Sequence, residues 1–341
     1  MNSLRHVFFF FLFLIIGFLN FSCSNSNAYK IGMLIPNIVD DRFPKDRDNF
    51  TAEVKKLGGE VISLEAQNDD KIQIQQAEEL IDQGVSVLAI ISVNKNTAAT
   101  IVREAHKKGV KVIAYDRIIA NCDLDYYVSF DNKKVGELMA LSALKQKPGG
   151  NYVLLGGDKS DQNAIWVRKG MHDIIDPKVK DGSVKIVYDV FIEDWSGDNA
   201  HYEMKQFLNL SNMVPDAIVA AYDGFSTGTV KALDENKVDI SLYPAITGQN
   251  AELEACKNIV RGKQTMTVYK PLTKLAEQVA ILAMKLAKGE NIDKSILRTI
   301  NNGAIEVPSI LIEPTSVDAG NMKSTIIADG FWKESEVYSG N

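Results

Sequence analysis

The chain has little with which to do catalysis. It carries four histidines and three cysteines in 341 residues. It also lacks the short strings that hold a phosphate, a zinc ion or an activated serine: there is no Gly-x-Gly-x-x-Gly after the first apolar run, no P-loop, no His-Glu-x-x-His and no Gly-x-Ser-x-Gly. His6, His106, His172 and His201 are scattered along the sequence, so neither a metal nor any other cofactor is expected. Lys/Arg runs are absent too. With a formal net charge of −6, the protein has no concentrated positive field for nucleic acid to bind. Cys122 and Cys256 stand far apart and in no metal-ligand spacing, and both are expected to be free and partly buried.

What is present is an ordinary globular composition, 45% hydrophobic and 24% charged, in a chain long enough for two cores. The amino terminus reads as an export signal over residues 1–22: Arg5 supplies positive charge, and the apolar run at 7–18 is too short to span a bilayer. Ser22 then precedes Cys23, with a polar spacer at 24–27. This junction resembles a bacterial lipoprotein processing site, in which the cysteine carries the lipid, although Asn20 stands where such sites usually have Leu. The resemblance implies a protein of the periplasm or cell envelope, tethered to the membrane at Cys23.

From residue 30 onward, short apolar runs alternate with amphipathic stretches, the pattern of a parallel sheet covered by helices on both faces. The runs lie at 30–36, 60–65, 85–92, 110–116, 126–130, 152–157, 184–192, 217–223, 245–248 and 266–269, with a further strand at 308–314. Helical spacing marks 46–56, 72–83, 97–108, 133–144, 163–174 and 272–288. Gly58, Gly84 and Gly109 follow three of these helices, where a left-handed cap is wanted. The unit restarts at Gly149 and Gly150, so the expected fold class is α/β: two doubly wound parallel-sheet lobes of about five strands each.

Parallel sheets place ligand groups at the carboxyl ends of their strands, and this sequence concentrates its unusual polar residues there: Arg42, Lys45, Asp116, Arg117, Asp161, Asn163, Trp195, Asp223, Asn250 and Lys270. Phe43 and Tyr222 add aromatic surface. A pyranose calls for this mixture, because its hydroxyls both donate and accept while its C–H faces pack on rings. A carboxylate or arginine at a strand end is more often a helix cap or a surface ion pair. Trp195, a large ring in a polar loop, stands out from that background.

At these residues the sequence resembles the D-xylose-binding proteins of bacterial ABC importers, within the type I periplasmic binding proteins. The strings that carry the resemblance are KIGM at 30–33, KDRD at 45–48, AYDR at 114–117, SFDN at 129–132 with KVGE at 134–137, QTMTVYKP at 264–271, and DGF at 329–331 with KES at 333–335. The resemblance implies that Arg42, Lys45, Asp116, Arg117, Asp161, Asn163, Trp195 and Lys270 hold a sugar, with Trp195 and Phe43 stacking on its ring. That family more often has Trp where Phe43 stands. Two departures fall in the same pocket: Tyr222 replaces an Asn before Asp223, and Asn250 replaces an Asp after Gly248 and Gln249.

The family also implies two lobes closing through a three-crossover hinge near residues 131, 270 and 301. The first lobe would comprise 29–131 plus 271–300, and the second 132–270 plus 301–341. No enzyme activity is expected. The expected partners are a monosaccharide, an ABC permease and the membrane through the lipid, for a protein acting as a monomer. A sugar-sensing subunit that presents another aldose to a membrane kinase or chemoreceptor stays open beside transport.

Overall fold

The computed structural model describes residues 28–38 and 42–339. The expected signal at 1–22 and the anchor Cys23 lie outside the described residues. No helix among those described is long and apolar enough to cross a membrane.

The apolar runs become two sheets. The first is built on β1 (Tyr29–Ile35), flanked by β2 (Gly59–Glu65) and β3 (Val87–Ile90), and continues through β4 (Lys111–Tyr115) to β5 (Tyr126–Phe130). The second runs through β6 (Gly150–Gly156), β7 (Val184–Phe191), β8 (Ala217–Ala220), β9 (Ala245–Gln249) and β10 (Met266–Tyr269), ordered β10-β9-β8-β6-β7. These ten strands pair in parallel, and the central ones are apolar on both faces because helices cover both sides. β3, for instance, is buried along its whole length. Gly58, Gly84 and Gly109 do adopt left-handed φ values, of 84°, 77° and 74°, and so turn the chain from helix back into strand.

Three further strands complete the sheets. β11 (Arg298–Asn301) pairs antiparallel with β12 (Glu306–Ile312), which lies parallel to β5. β13 (Thr315–Val317) closes the second sheet, antiparallel to β10. The crossing expected near residue 301 is thereby corrected: residues 301–312 belong to the first sheet, and the chain passes to the second lobe only between Ile312 and Thr315. The hairpin is held there by Asn302, whose Nδ2 donates to the carbonyls of Ile119 (3.0 Å) and Cys122 (2.9 Å). The other two crossings run through Asp131, ahead of the helix Asn132–Gln146 in the second core, and through Lys270 and Pro271, ahead of the helix Leu272–Ala287 in the first.

Each lobe thus has its own core. Met33, Phe50, Tyr115 and Phe130 pack under helix Leu272–Ala287 in one, and Tyr152, Met171, Phe225 and Leu233 anchor the other. Cys122 and Cys256 are free and buried in separate lobes.

Candidate functional site

Between the carboxyl ends of the two sheets lies a cleft of about 680 Å³. Ten of the residues singled out in the sequence line it: Arg42, Phe43, Asp116, Arg117, Asp161, Asn163, Trp195, Tyr222, Asn250 and Lys270. Three of them, Asp116, Trp195 and Asn250, sit at left-handed φ values of 62°, 51° and 92°. Such conformations cost a non-glycine residue of the order of 1–3 kcal/mol, and they concentrate where a chain must aim a side chain at a ligand.

The first lobe contributes a charged cluster. Arg42 opens the helix Arg42–Lys56 and reaches Asp116 at 2.7 Å and Asp46 at 3.3 Å. Asp46 is fully buried and accepts from the Tyr115 hydroxyl at 2.9 Å. Its burial outweighs the pull of Arg42, and its pKa rises to about 6. For Asp116, burial is overcome by Arg42, Lys270 and Arg117, which hold the carboxyl below its usual value. The Arg117 guanidinium lies 5.4 Å from the Phe43 ring centroid and donates to the Ser92 carbonyl at 3.3 Å. Its Nε faces Asp161 of the other lobe at 3.6 Å.

Asp161 has two tasks, because its carboxylate also caps the helix Gln162–Lys180 by accepting from the Asn163 N–H at 2.8 Å. The Asn163 side chain joins the lobes. It donates to the Asp116 carbonyl at 3.1 Å, and accepts from Asn132 at 3.0 Å and from the Tyr127 hydroxyl at 3.4 Å. Lys270 sits at a crossing, 6% exposed. Burial first, and repulsion from Arg42 second, lower its pKa to about 7 against the opposing pull of Asp116, Asp161 and Asp46.

The second lobe supplies aromatic surface. Trp195 ends a short turn in which Asp194 is also left-handed and donates its N–H to Asp158 at 2.7 Å. The indole lies against Gly157, where a Cβ would meet Trp195 Cη2 at 2.2 Å. The missing side chain of Gly157 therefore makes room for the ring. Tyr222 stands perpendicular to Trp195, and its hydroxyl donates to Glu252.

Two expected residues do not reach the cleft. Lys45 turns aside, with Nζ 4.0 Å from the ring centroid of Trp332 and 4.8 Å from that of Phe331. Asp223 is 0% exposed and supports the site from beneath: it accepts from Thr267 Oγ1 (2.8 Å), the Glu252 N–H (3.0 Å) and Gln264 Nε2 (3.0 Å). Its position at the start of helix Asp223–Glu235 turns the carboxyl inward. Burial, reinforced by Glu252, pushes its pKa to about 8.

Sequence reasoning missed Asn37, Ser92, Asn132, Asp158 and Gln249, all of which line the cleft. Gln249 matters most. Its Nε2 donates to the Ala221 carbonyl at 2.6 Å, while its Oε1, like Asn250 Oδ1, is buried with no hydrogen-bond partner. Buried acceptors without partners cost about 1–3 kcal/mol each, so both are placed to receive a ligand's hydroxyls. The signal in the sequence was the pairing of two amides at the end of an apolar run.

Comparison with known proteins agrees with this geometry. The model of the periplasmic binding protein domain matches residues 31–291. The D-xylose-binding periplasmic protein of Haemophilus influenzae is 42% identical, covering 93% of this chain and 94% of its own. That of Escherichia coli is 41% identical, covering 92% and 94%. Among solved structures, an ABC transporter solute-binding protein from Clostridium phytofermentans with bound β-D-glucose superposes with a TM-score of 0.82 at 30% identity, covering 90% of this chain and 99% of its own.

Proposed function

Because this chain belongs to the periplasmic binding protein domain family, we propose that it captures a monosaccharide between its lobes, D-xylose before other aldoses, and delivers it to an ABC importer without catalysing any reaction. The observation that carries the proposal is a cleft faced from both sides by groups suited to hydroxyls: Arg42, Asp116 and Arg117 from one lobe, and Asp161, Gln249, Asn250 and Lys270 from or beside the other. Charged groups make the stronger hydrogen bonds to a neutral polyol, and the rings of Phe43, Trp195 and Tyr222 suit its C–H surfaces. The two D-xylose-binding relatives support the choice of pentose. Lipidation at Cys23 would hold the protein in the cell envelope, beside the permease.

A sugar bound by both lobes has differential affinity for the closed form and shifts the hinge toward it. The test is isothermal titration with D-xylose, D-glucose, D-ribose and L-arabinose, with an expected Kd of about 1 µM or tighter for D-xylose, near −8 kcal/mol. Absence of heat with all four sugars rejects the proposal.

A further inference from the structure

The helix Gln162–Lys180 faces two ways. Val167, Met171 and Ile175 recur at helical spacing and enter the second lobe's core. At its amino-terminal end, Gln162, Asn163 and Trp166 occupy the neighbouring sector of the helix surface, and each meets the first lobe. Gln162 Oε1 accepts from Lys95 Nζ at 3.2 Å. Trp166 is half-buried and packs against the first-lobe cluster that contains Tyr127, with the two ring centroids 6.2 Å apart and the planes at 45°. Both first-lobe partners are fixed on their own side. The Lys95 carbonyl accepts from the Ala120 N–H at 2.8 Å, and the Tyr127 hydroxyl donates to the Asp116 carbonyl at 3.0 Å.

These contacts run from protein to protein and need no sugar. Trp166 does not line the cleft, and the Gln162 carbonyl oxygen is engaged by Lys95. They nevertheless hold the turn that sets Asp161 before Arg117 and Asn163 against the Asp116 carbonyl. A contact made only when the lobes meet favours the closed arrangement whatever the ligand, and apparent affinity scales with the population able to hold the ligand. Resting on the sugar-binding proposal, we infer that Trp166 and the Lys95–Gln162 pair are positioning residues, which dock the second lobe's helix on the first lobe and raise sugar affinity by holding the cleft shut, without touching the ligand.

Calorimetry and stopped-flow mixing with D-xylose, or with whichever monosaccharide the wild type binds, test the inference in Trp166→Ala, Lys95→Met, Gln162→Ala and the Lys95→Met/Gln162→Ala double variant. Trp166→Ala should raise Kd about fivefold or more, and each single variant of the pair about threefold. The double variant should bind no more weakly than either single one, because both remove the same contact. In every case the rise should lie in faster dissociation, with the association rate within about twofold of the wild type and one sugar still bound per chain. Damage to the fold alone would instead lower the fraction of chains that bind and leave the dissociation rate of the rest unchanged. An unchanged Kd in Trp166→Ala, a rise carried by slower association, or additive losses in the double variant would each overturn the inference. The Lys95–Gln162 arm decides it if Trp166→Ala does not fold. A wild type that binds no monosaccharide refutes the sugar-binding proposal itself, an outcome distinct from a wild type and a Trp166→Ala variant that bind equally well.

Discussion

The Lys45 ammonium sits 4.0 Å from the centroid of the Trp332 ring, so the helix that delivers Arg42 to the cleft also grips the last segment of the opposite lobe. Trp332 Nε1 donates to the Ala251 carbonyl at 2.7 Å, next to Asn250, and Phe331 packs edge-on against Tyr269 at 5.2 Å, next to Lys270. Lys45 thereby touches the site's supports and not the site.

Replacing Lys45 with Met should therefore leave D-xylose affinity within about threefold. The stability cost should be about 0.5–1 kcal/mol, the usual value of a partly exposed cation–π contact. Calorimetry and urea denaturation read the two quantities, and a tenfold loss of affinity would return Lys45 to direct sugar contact.

The ion pair of Arg42 and Asp116 predicts the opposite balance. Removing one partner of a buried pair strands the other charge, at a cost of about 3–5 kcal/mol. Arg42→Met should lower the urea-derived stability by about 3 kcal/mol, because Asp46 loses the same partner, and should abolish measurable sugar binding. A stability loss below about 1 kcal/mol would mean that water already screens the pair.

Gly157→Ala tests how Trp195 is positioned. The added methyl would lie 2.2 Å from the indole, so the ring must shift, at an overpacking cost of about 1–3 kcal/mol. D-xylose affinity should fall at least tenfold, and the tryptophan emission maximum should move. Unchanged emission together with unchanged affinity would show that the ring has room to spare.

Asp223 gives a pH dependence with a definite sign. Its folded pKa of about 8 lies above the ordinary value of 3.8, so the folded protein keeps a proton that the unfolded chain releases above pH 4. Stability from this group therefore falls as pH rises from about 4 to about 8, by at most about 1.4 kcal/mol per unit, and levels off beyond. Urea midpoints at pH 5 and pH 8 should differ more for the wild type than for Asp223→Asn. Equal differences would show that the carboxyl ionises normally.

Much of the fold was legible because strand burial leaves a strong trace. The strands at 126–130 and 266–269 have the bounds that their Tyr- and Val-rich runs indicate. The helix Asp223–Glu235 was not legible, for it opens with Asp, Gly, Phe, Ser, Thr and Gly, poor helix formers. It exists because Phe225, Val230 and Leu233 are buried against the second sheet. β11 and β13 are short and polar edge strands, defined by partners distant in sequence. In the site, residue type and strand-end position located Asp116, Trp195 and Asn250, but the inward turn of Asp223, the capture of Lys45 by Trp332 and the unpaired acceptor of Gln249 arise only from tertiary contacts.

The return of the chain to pair β12 with β5 also bears on how the protein comes to be folded. A polypeptide delivered amino terminus first, from a ribosome or through an export channel, makes β1 to β5 early and must then thread the parallel strands of the second lobe before Glu306 arrives. Until then β5 presents an open edge, the kind of surface on which unfinished chains associate. Contacts so distant in sequence also close slowly. Each lobe draws on two separate stretches of chain, so a chain cut short before residue 306 would display an unsealed sheet, a mark by which quality control could tell it from the complete protein.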